Sequence, residues 1–181
     1  PNLGTVMKAA GYSVPYKGKW HLSKMTEADW VPNDVNQYGF ERWDPPDAGA
    51  NQDVDQFGGG DPNNDGRFMD DNGDVNLGKE GVLEYLNSTA AQQQPFFLTV
   101  SLVNPHDVLS YPDTYNDPGS GYDNSDLVGT IGLPPTVSED LSTKPTAQQQ
   151  VLDLMNFGLG PLPTDQMKKN YLNFYGNLLK E

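Results

Sequence analysis

Apolar and polar positions change their rhythm several times along the chain. Leu3, Val6, Met7 and Ala10 recur at helical spacing and Gly11 follows as a stop, which predicts a short helix packed on a sheet. Residues 12–16 read as a strand leading to Gly18, Lys19 and His21, with Pro15 marking an edge or an irregular stretch. Residues 27–75 are rich in Asp, Asn, Gly and Pro and read as loop, apart from a short strand at Gly39-Phe40-Glu41-Arg42-Trp43. Val82, Leu83 and Leu86 form a helical stripe, with Gly78 and Gly81 weakening its start. After Gln92-Gln93-Gln94-Pro95, residues 96–103 are nearly continuous apolar sequence, the pattern of a strand buried on both faces. Residues 108–144 read as loop, broken by Pro112, Pro118, Pro134 and Pro135, with Tyr111, Tyr115 and Tyr122 as packing residues. Ala147, Val151, Leu154 and Met155 predict an amphipathic helix behind Pro145. Thr164 as N-cap and Asp165 in the first turn open a last helix, whose core face is Met167, Tyr171, Phe174, Tyr175, Leu178 and Leu179.

A helix, a linker and a buried strand make the αβ half of a crossover unit, so the fold class is α/β with a parallel or mixed sheet. The length, 181 residues, suits one domain that buries roughly 70% of its unfolded surface. With no initiator methionine and an end at Glu181 inside a helical pattern, the chain reads as a central excerpt of a longer protein. No apolar run approaches the roughly 18 residues of a membrane span, and no secretory signal is visible.

Charge narrows the partners. The formal charge is −14, and residues 27–74 hold 13 acidic residues against Arg42 and Arg67 alone. Such a surface repels nucleic acid and anionic membrane, which excludes both as expected partners. Any anion site must be dominated locally by a cation inside an acidic body. Cysteine is absent, so there is no disulfide, thiol nucleophile or thiolate metal site. Asp61-Pro62-Asn63-Asn64-Asp65-Gly66 matches the start of an EF-hand calcium loop, but Met69 stands at its ninth position and Asn72 at its twelfth, so it reads as a solvated acidic turn.

The stretch with chemistry is Gly18-Lys19-Trp20-His21-Leu22. In an extended run Lys19 and His21 share one face and Trp20 anchors the other. A fixed cation then sits beside a group that gives or takes a proton. A second candidate is His106, in Asn104-Pro105-His106-Asp107, because it follows the carboxyl end of a predicted strand, where open α/β sheets bind ligands. Asp107 reads as a cap of the next turn.

Gly11-Tyr12 followed by residues 18–22, and then Pro95-Phe96-Phe97-Leu98 with Pro105-His106 downstream, resemble the sulfatases of the alkaline-phosphatase-like superfamily. Ser23 departs from the glycine usual there. The resemblance implies an alkaline-phosphatase-like fold, with a mixed, mostly parallel sheet flanked by helices and, in this chain, long acidic loops. Residues 1–181 would then be part of a sulfatase catalytic domain, lacking the nucleophile region and the C-terminal part. The implied activity is hydrolysis of sulfate esters on a small molecule or carbohydrate, in a periplasmic or secreted protein.

The implied nucleophile is a formylglycine made from Cys or Ser, beside a divalent cation, usually calcium; both lie outside this chain, and no metal ligand is assigned within it. Ser13-Val14-Pro15-Tyr16-Lys17 echoes the nucleophile motif only faintly, since the arginine is missing. By the same resemblance Lys19 contacts formylglycine and sulfate, His21 bonds the formylglycine hydroxyl, and His106 lies near the sulfate and the leaving oxygen as a proton donor. The excerpt alone would be inactive. Two alternatives stand beside this reading: a phosphoesterase or phosphonate hydrolase of the same superfamily, and a non-catalytic calcium- or carbohydrate-binding module on the same scaffold.

Overall fold

The structure is a computed structural model that describes residues 1–48, 67–69 and 80–180. The acidic turn at residues 61–66 lies outside the described residues. In chain order the elements are α1 (Leu3–Ala9), β1 (Tyr16–Gly18), α2 (Asn33–Asn36), α3 (Arg67–Met69), α4 (Val82–Asn87), α5 (Thr89–Gln93), β2 (Thr99–Ser101), α6 (Thr146–Leu159) and α7 (Asp165–Leu178). Three 3₁₀ turns, His106–Ser110, Pro135–Ser138 and Leu141–Thr143, punctuate the long connection from β2 to α6.

Among the described residues the sheet has two strands, β1 and β2, which run parallel in the register Tyr16↔Thr99, Lys17↔Val100 and Gly18↔Ser101. An isolated bridge joins Ser13 to Phe96, and another joins Pro15 to Glu41. The stretch expected as a strand around Gly39–Trp43 therefore contributes one bridge. Two aromatic-rich cores flank this pair. Val14, Tyr16, Trp20, Val35, Phe40 and Trp43 form one, and Val108, Tyr111, Tyr122, Leu127, Phe174 and Leu178 form the other.

Strand β1 depends on a glycine. Gly18 has φ +102°, and a Cβ there would lie 1.9 Å from the Ser101 carbonyl oxygen. Only a residue without a Cβ lets the two backbones approach this closely. Lys19 then continues the ladder by one bond, its N–H donating to the Ser101 carbonyl at 2.7 Å.

Several expected faces are corrected. Helix α1 is capped at Asn2 as a helix start should be, with Thr5 N–H donating to Asn2 Oδ1 at 3.0 Å. Yet Leu3 and Val6 are exposed, and the buried position is Gly4. The helix turns its least bulky side inward because its backbone abuts Tyr38 and Phe40, where a Cβ on Gly4 would meet atoms at 2.6–2.9 Å. In α4 the buried face is Val82 and Tyr85, while Leu83 and Leu86 are exposed. The strand expected over residues 96–103 shortens to Thr99–Ser101, and Val100 and Leu102 are exposed because β2 pairs on one edge only among the described residues.

Helix α6 forms as expected but buries nothing; Val151, Leu154 and Met155 face outward. Helix α7 begins at the expected cap, with Met167 N–H donating to Thr164 Oγ1 at 3.1 Å, and buries Phe174 and Leu178 while Tyr175 and Leu179 stay exposed. Tyr111 and Tyr122 pack, as expected, in the second core.

The loop after His21 is held by Asp34, which is fully buried. Its Oδ1 accepts from the Thr26 N–H at 2.8 Å and the Thr26 hydroxyl at 2.6 Å, and its Oδ2 accepts from the Val31 N–H at 2.9 Å. The Thr26 hydroxyl, then the backbone donors, hold its carboxyl below the ordinary value of 3.8.

Two outcomes are expected. Gly18→Ala lowers stability by on the order of 3 kcal/mol, through strain at a positive φ and a clash with β2, read as a drop in the urea midpoint. For Asp34 the folded carboxyl titrates below the unfolded one. Its contribution is therefore complete above the ordinary value of 3.8 and declines as pH falls from there through the depressed native value. The urea midpoint of the parent falls across that acid range, and Asp34→Asn flattens the fall.

Candidate functional site

The site starts where β1 stops. The expected extended run through His21 does not continue, because β1 ends at Gly18 and His21 is left-handed, with φ +43°. Trp20 is the anchor expected of it. It is 5% exposed, packs edge-on against Tyr16 at 5.2 Å and Phe40 at 5.7 Å, and donates its indole N–H to Ser23 Oγ at 2.8 Å. Ser23, the point of departure from the resemblance, thus completes the Trp20 contact. Tyr16 donates its hydroxyl to the Lys19 carbonyl at 2.7 Å. Burial pushes the Tyr16 phenol up against a lowering by a hydrogen bond to Ser101, and the nearby Asp47 charge adds a smaller raise. His21 is exposed and Lys19 half-buried at the turn's surface.

His106 stands on the second turn, five residues past the end of β2 and first in the 3₁₀ turn His106–Ser110. Because β1 and β2 are parallel, the Lys19-Trp20-His21 turn and the His106 turn leave the same end of the sheet. The imidazole is 14% exposed, and its Nδ1 lies 3.4 Å from Asp107 Oδ1. Asp107 is more than the cap expected of it. Its carboxylate is fully buried, and Oδ2 accepts the Tyr122 hydroxyl at 2.7 Å. Asn104 Nδ2 donates to that same phenol oxygen at 3.3 Å. Tyr122 packs edge-on against Phe174 of α7 at 5.0 Å, so the last helix braces the histidine turn through one phenol.

Lys17 carries a positive charge close by, yet it is structural. It is 1% exposed, donates to the Arg42 carbonyl at 2.7 Å, and pairs with Glu80 at 3.2 Å and Asp44 at 3.4 Å. Glu80 also takes both Arg42 donors, and that hydrogen bonding, more than the Lys17 charge, lowers its carboxyl. Ser13 is buried too and donates its hydroxyl to Glu41. The faint nucleophile echo at residues 13–17 is therefore core.

An apolar cleft of about 480 Å³, lined by Leu109, Tyr111, Leu152, Met155, Leu162 and Tyr171, lies between α6 and α7 and includes none of Lys19, His21 and His106. Among the described residues no three His, Asp or Glu side chains gather so as to hold a metal ion. The divalent cation implied by the resemblance thus finds no cage among the described residues. No helix among the described residues is long and apolar enough to cross a membrane.

The Tyr122–Asp107 bond predicts a contrast. Tyr122→Phe leaves a buried carboxylate short of a donor and costs about 1.5–3 kcal/mol. Tyr115→Phe, whose hydroxyl meets Asn124 at the exposed surface, costs less than about 0.5 kcal/mol. Urea denaturation of the two variants side by side reads both.

The sulfatase family model matches residues 1–180. The chain is also 29% identical over 124 residues to an "Ulvan-active sulfatase" of Formosa agariphila, an alignment covering 64% of this chain and 22% of that protein. The chain thus spans less than a quarter of the relative's length. No solved structure matches it significantly. With the family model covering all but the final residue, and the lysine and histidine turns leaving one end of a parallel strand pair, the chain belongs to the sulfatase family.

Proposed function

We propose that residues 1–181 are part of a sulfatase catalytic domain and supply Lys19, His21 and His106 to a site that hydrolyses sulfate esters of a small molecule or carbohydrate. The observation that carries this reading is the parallel pairing of β1 with β2, which sends both turns off the carboxyl end of the sheet. Family membership supports the reaction class.

The formylglycine and divalent cation of the family would come from elsewhere in the parent protein and supply the attacking oxygen and charge neutralisation. The residues of this chain do the rest. The Lys19 ammonium opposes the negative charge on the sulfuryl oxygens. A unit pair about 4 Å apart is worth on the order of 4 kcal/mol at an effective dielectric near 20, before desolvation is subtracted. His106 keeps Nδ1 toward Asp107, which leaves Nε2 to hand a proton to the departing oxygen. The step starts from the imidazolium, with a proton on each ring nitrogen; Asp107 accepts the Nδ1 hydrogen and holds the orientation of the ring while the Nε2 proton leaves. His21 holds or releases a proton beside the nucleophile position. Lys17 takes no part, since Glu80 and Asp44 already use its charge.

The test is made in the complete protein with an aryl sulfate and the matching aryl phosphate. The expected kcat/KM is higher on the sulfate, and Lys19→Ala and His106→Ala each reduce turnover at least tenfold. Unchanged turnover in either variant removes that residue from the mechanism. A preference for the phosphate replaces the reading with that of a phosphoesterase.

A further inference from the structure

Beyond Gly18 the backbone donors of β1 run out of strand partners. Lys19 still reaches the Ser101 carbonyl, but the next two N–H groups belong to a turn. Asp47 takes both. Its Oδ1 accepts from the Trp20 N–H at 2.7 Å and its Oδ2 from the His21 N–H at 2.7 Å. Charge-assisted bonds of this length are the strong kind, and a carboxylate accepting two successive amides fixes the peptide between them. That peptide carries the unusual feature of the turn, the left-handed His21 at φ +43°, a conformation non-glycine residues seldom hold without outside support.

Asp47 is itself placed by β1. The segment that delivers it runs beside residues 14–21. Tyr16 N–H donates to the Glu41 carbonyl at 3.0 Å, Lys17 Nζ to the Arg42 carbonyl at 2.7 Å, and Trp43 Nε1 to the Gly18 carbonyl at 2.8 Å. Each step along β1 is answered one residue further along the partner segment, and Asp47 lies four residues past the last of them. It is 9% exposed, and its Oδ1 also accepts the Ala48 N–H at 3.0 Å. A buried carboxylate so supplied with amides is held as an acceptor and is not presented to a substrate anion.

We infer that Asp47 is a positioning residue for His21: its carboxylate stands in for a missing strand, locks the Trp20–His21 peptide, and so aims the imidazole into the site. The inference rests on the sulfatase reading for its catalytic consequence, but the clamp itself is a property of the turn and is tested separately.

The experiment uses the complete protein carrying Asp47→Ala, Asp47→Asn, His21→Ala and the Asp47→Ala/His21→Ala pair. Hydrogen exchange at the Trp20 and His21 amides is read without reference to activity. Both accelerate at least tenfold in Asp47→Ala, whereas Asp47→Asn, keeping one acceptor oxygen, preserves protection at one of the two. On an aryl sulfate, Asp47→Ala lowers kcat at least tenfold and moves KM less than threefold. In the His21→Ala background the same change costs less than twofold, because the residue through which Asp47 acts is already gone. Unchanged exchange at both amides in Asp47→Ala overturns the clamp. An equal loss of kcat in the wild-type and His21→Ala backgrounds overturns the positioning role. If the wild-type protein shows no turnover of sulfate esters, the proposed function fails by itself, and exchange alone decides whether Asp47 holds the turn.

Discussion

Everything placed at this end of the molecule depends on how closely Gly18 lies against the Ser101 carbonyl. The contact leaves no room for a Cβ, so β1 and β2 lie in parallel register up to the last residue of each strand. The register then determines where the two following turns begin. Lys19 emerges one residue past β1, bonded to Ser101, and His106 five residues past β2. A slip of one residue would reverse every side chain on a strand and move the Lys19 turn relative to the His106 turn. The glycine therefore constrains where the two turns stand as much as it constrains the sheet.

What surrounds that contact is an exchange of side chains for strands. Past their ends, β1 and β2 have no further ladder to satisfy the backbone, and buried backbone donors left unpaired are costly. Trp43, Asp47 and Tyr16 supply partners around residues 18–21, and in the histidine turn Asn104 Oδ1 accepts the Asp107 N–H at 3.4 Å while the Asp107 carboxylate takes the Tyr122 hydroxyl. Both turns rest on a buried carboxylate: one grips two backbone amides, the other lies behind an imidazole and takes a phenol. The chemistry-bearing side chains can then stand at the surface while their backbones are fixed from beneath.

The sequence announced the local parts of this arrangement and concealed the distant ones. Gly18, the Trp20 anchor, the Thr164 cap and a histidine just beyond a strand are legible because each is a property of a few adjacent residues. In α1 and α4 apolar spacing marks Leu3, Val6, Leu83 and Leu86, whereas backbone approach at Gly4 and the ring of Tyr85 decide what is buried. Asp47 and Lys17 carried no signal at all. Their partners lie 25 to 63 residues away along the chain, and nothing periodic marks a carboxylate that will meet an amide 27 residues earlier. Asp107 was visible as a residue, but its meaning depends on Tyr122, fifteen residues on, and on the helix that braces it.

An anion site on an acidic chain, as proposed above, needs the chain's own carboxylates kept from competing. The formal charge of −14 suggests repulsion, but distance and pairing decide the local field. At physiological ionic strength exposed charges are screened beyond about 8 Å. Among the described residues, several acids packed near the turns are occupied. Asp34 is bound by Thr26 and Val31, Asp47 by Trp20 and His21, Asp107 by Tyr122, and Glu80 by Arg42 and Lys17. A carboxylate surrounded by N–H and O–H dipoles projects less field than an open one, which softens the excess of 25 acids over 11 bases around the turns. Lys17 shows the same pairing beneath the strand, where it neutralises Glu80 and Asp44.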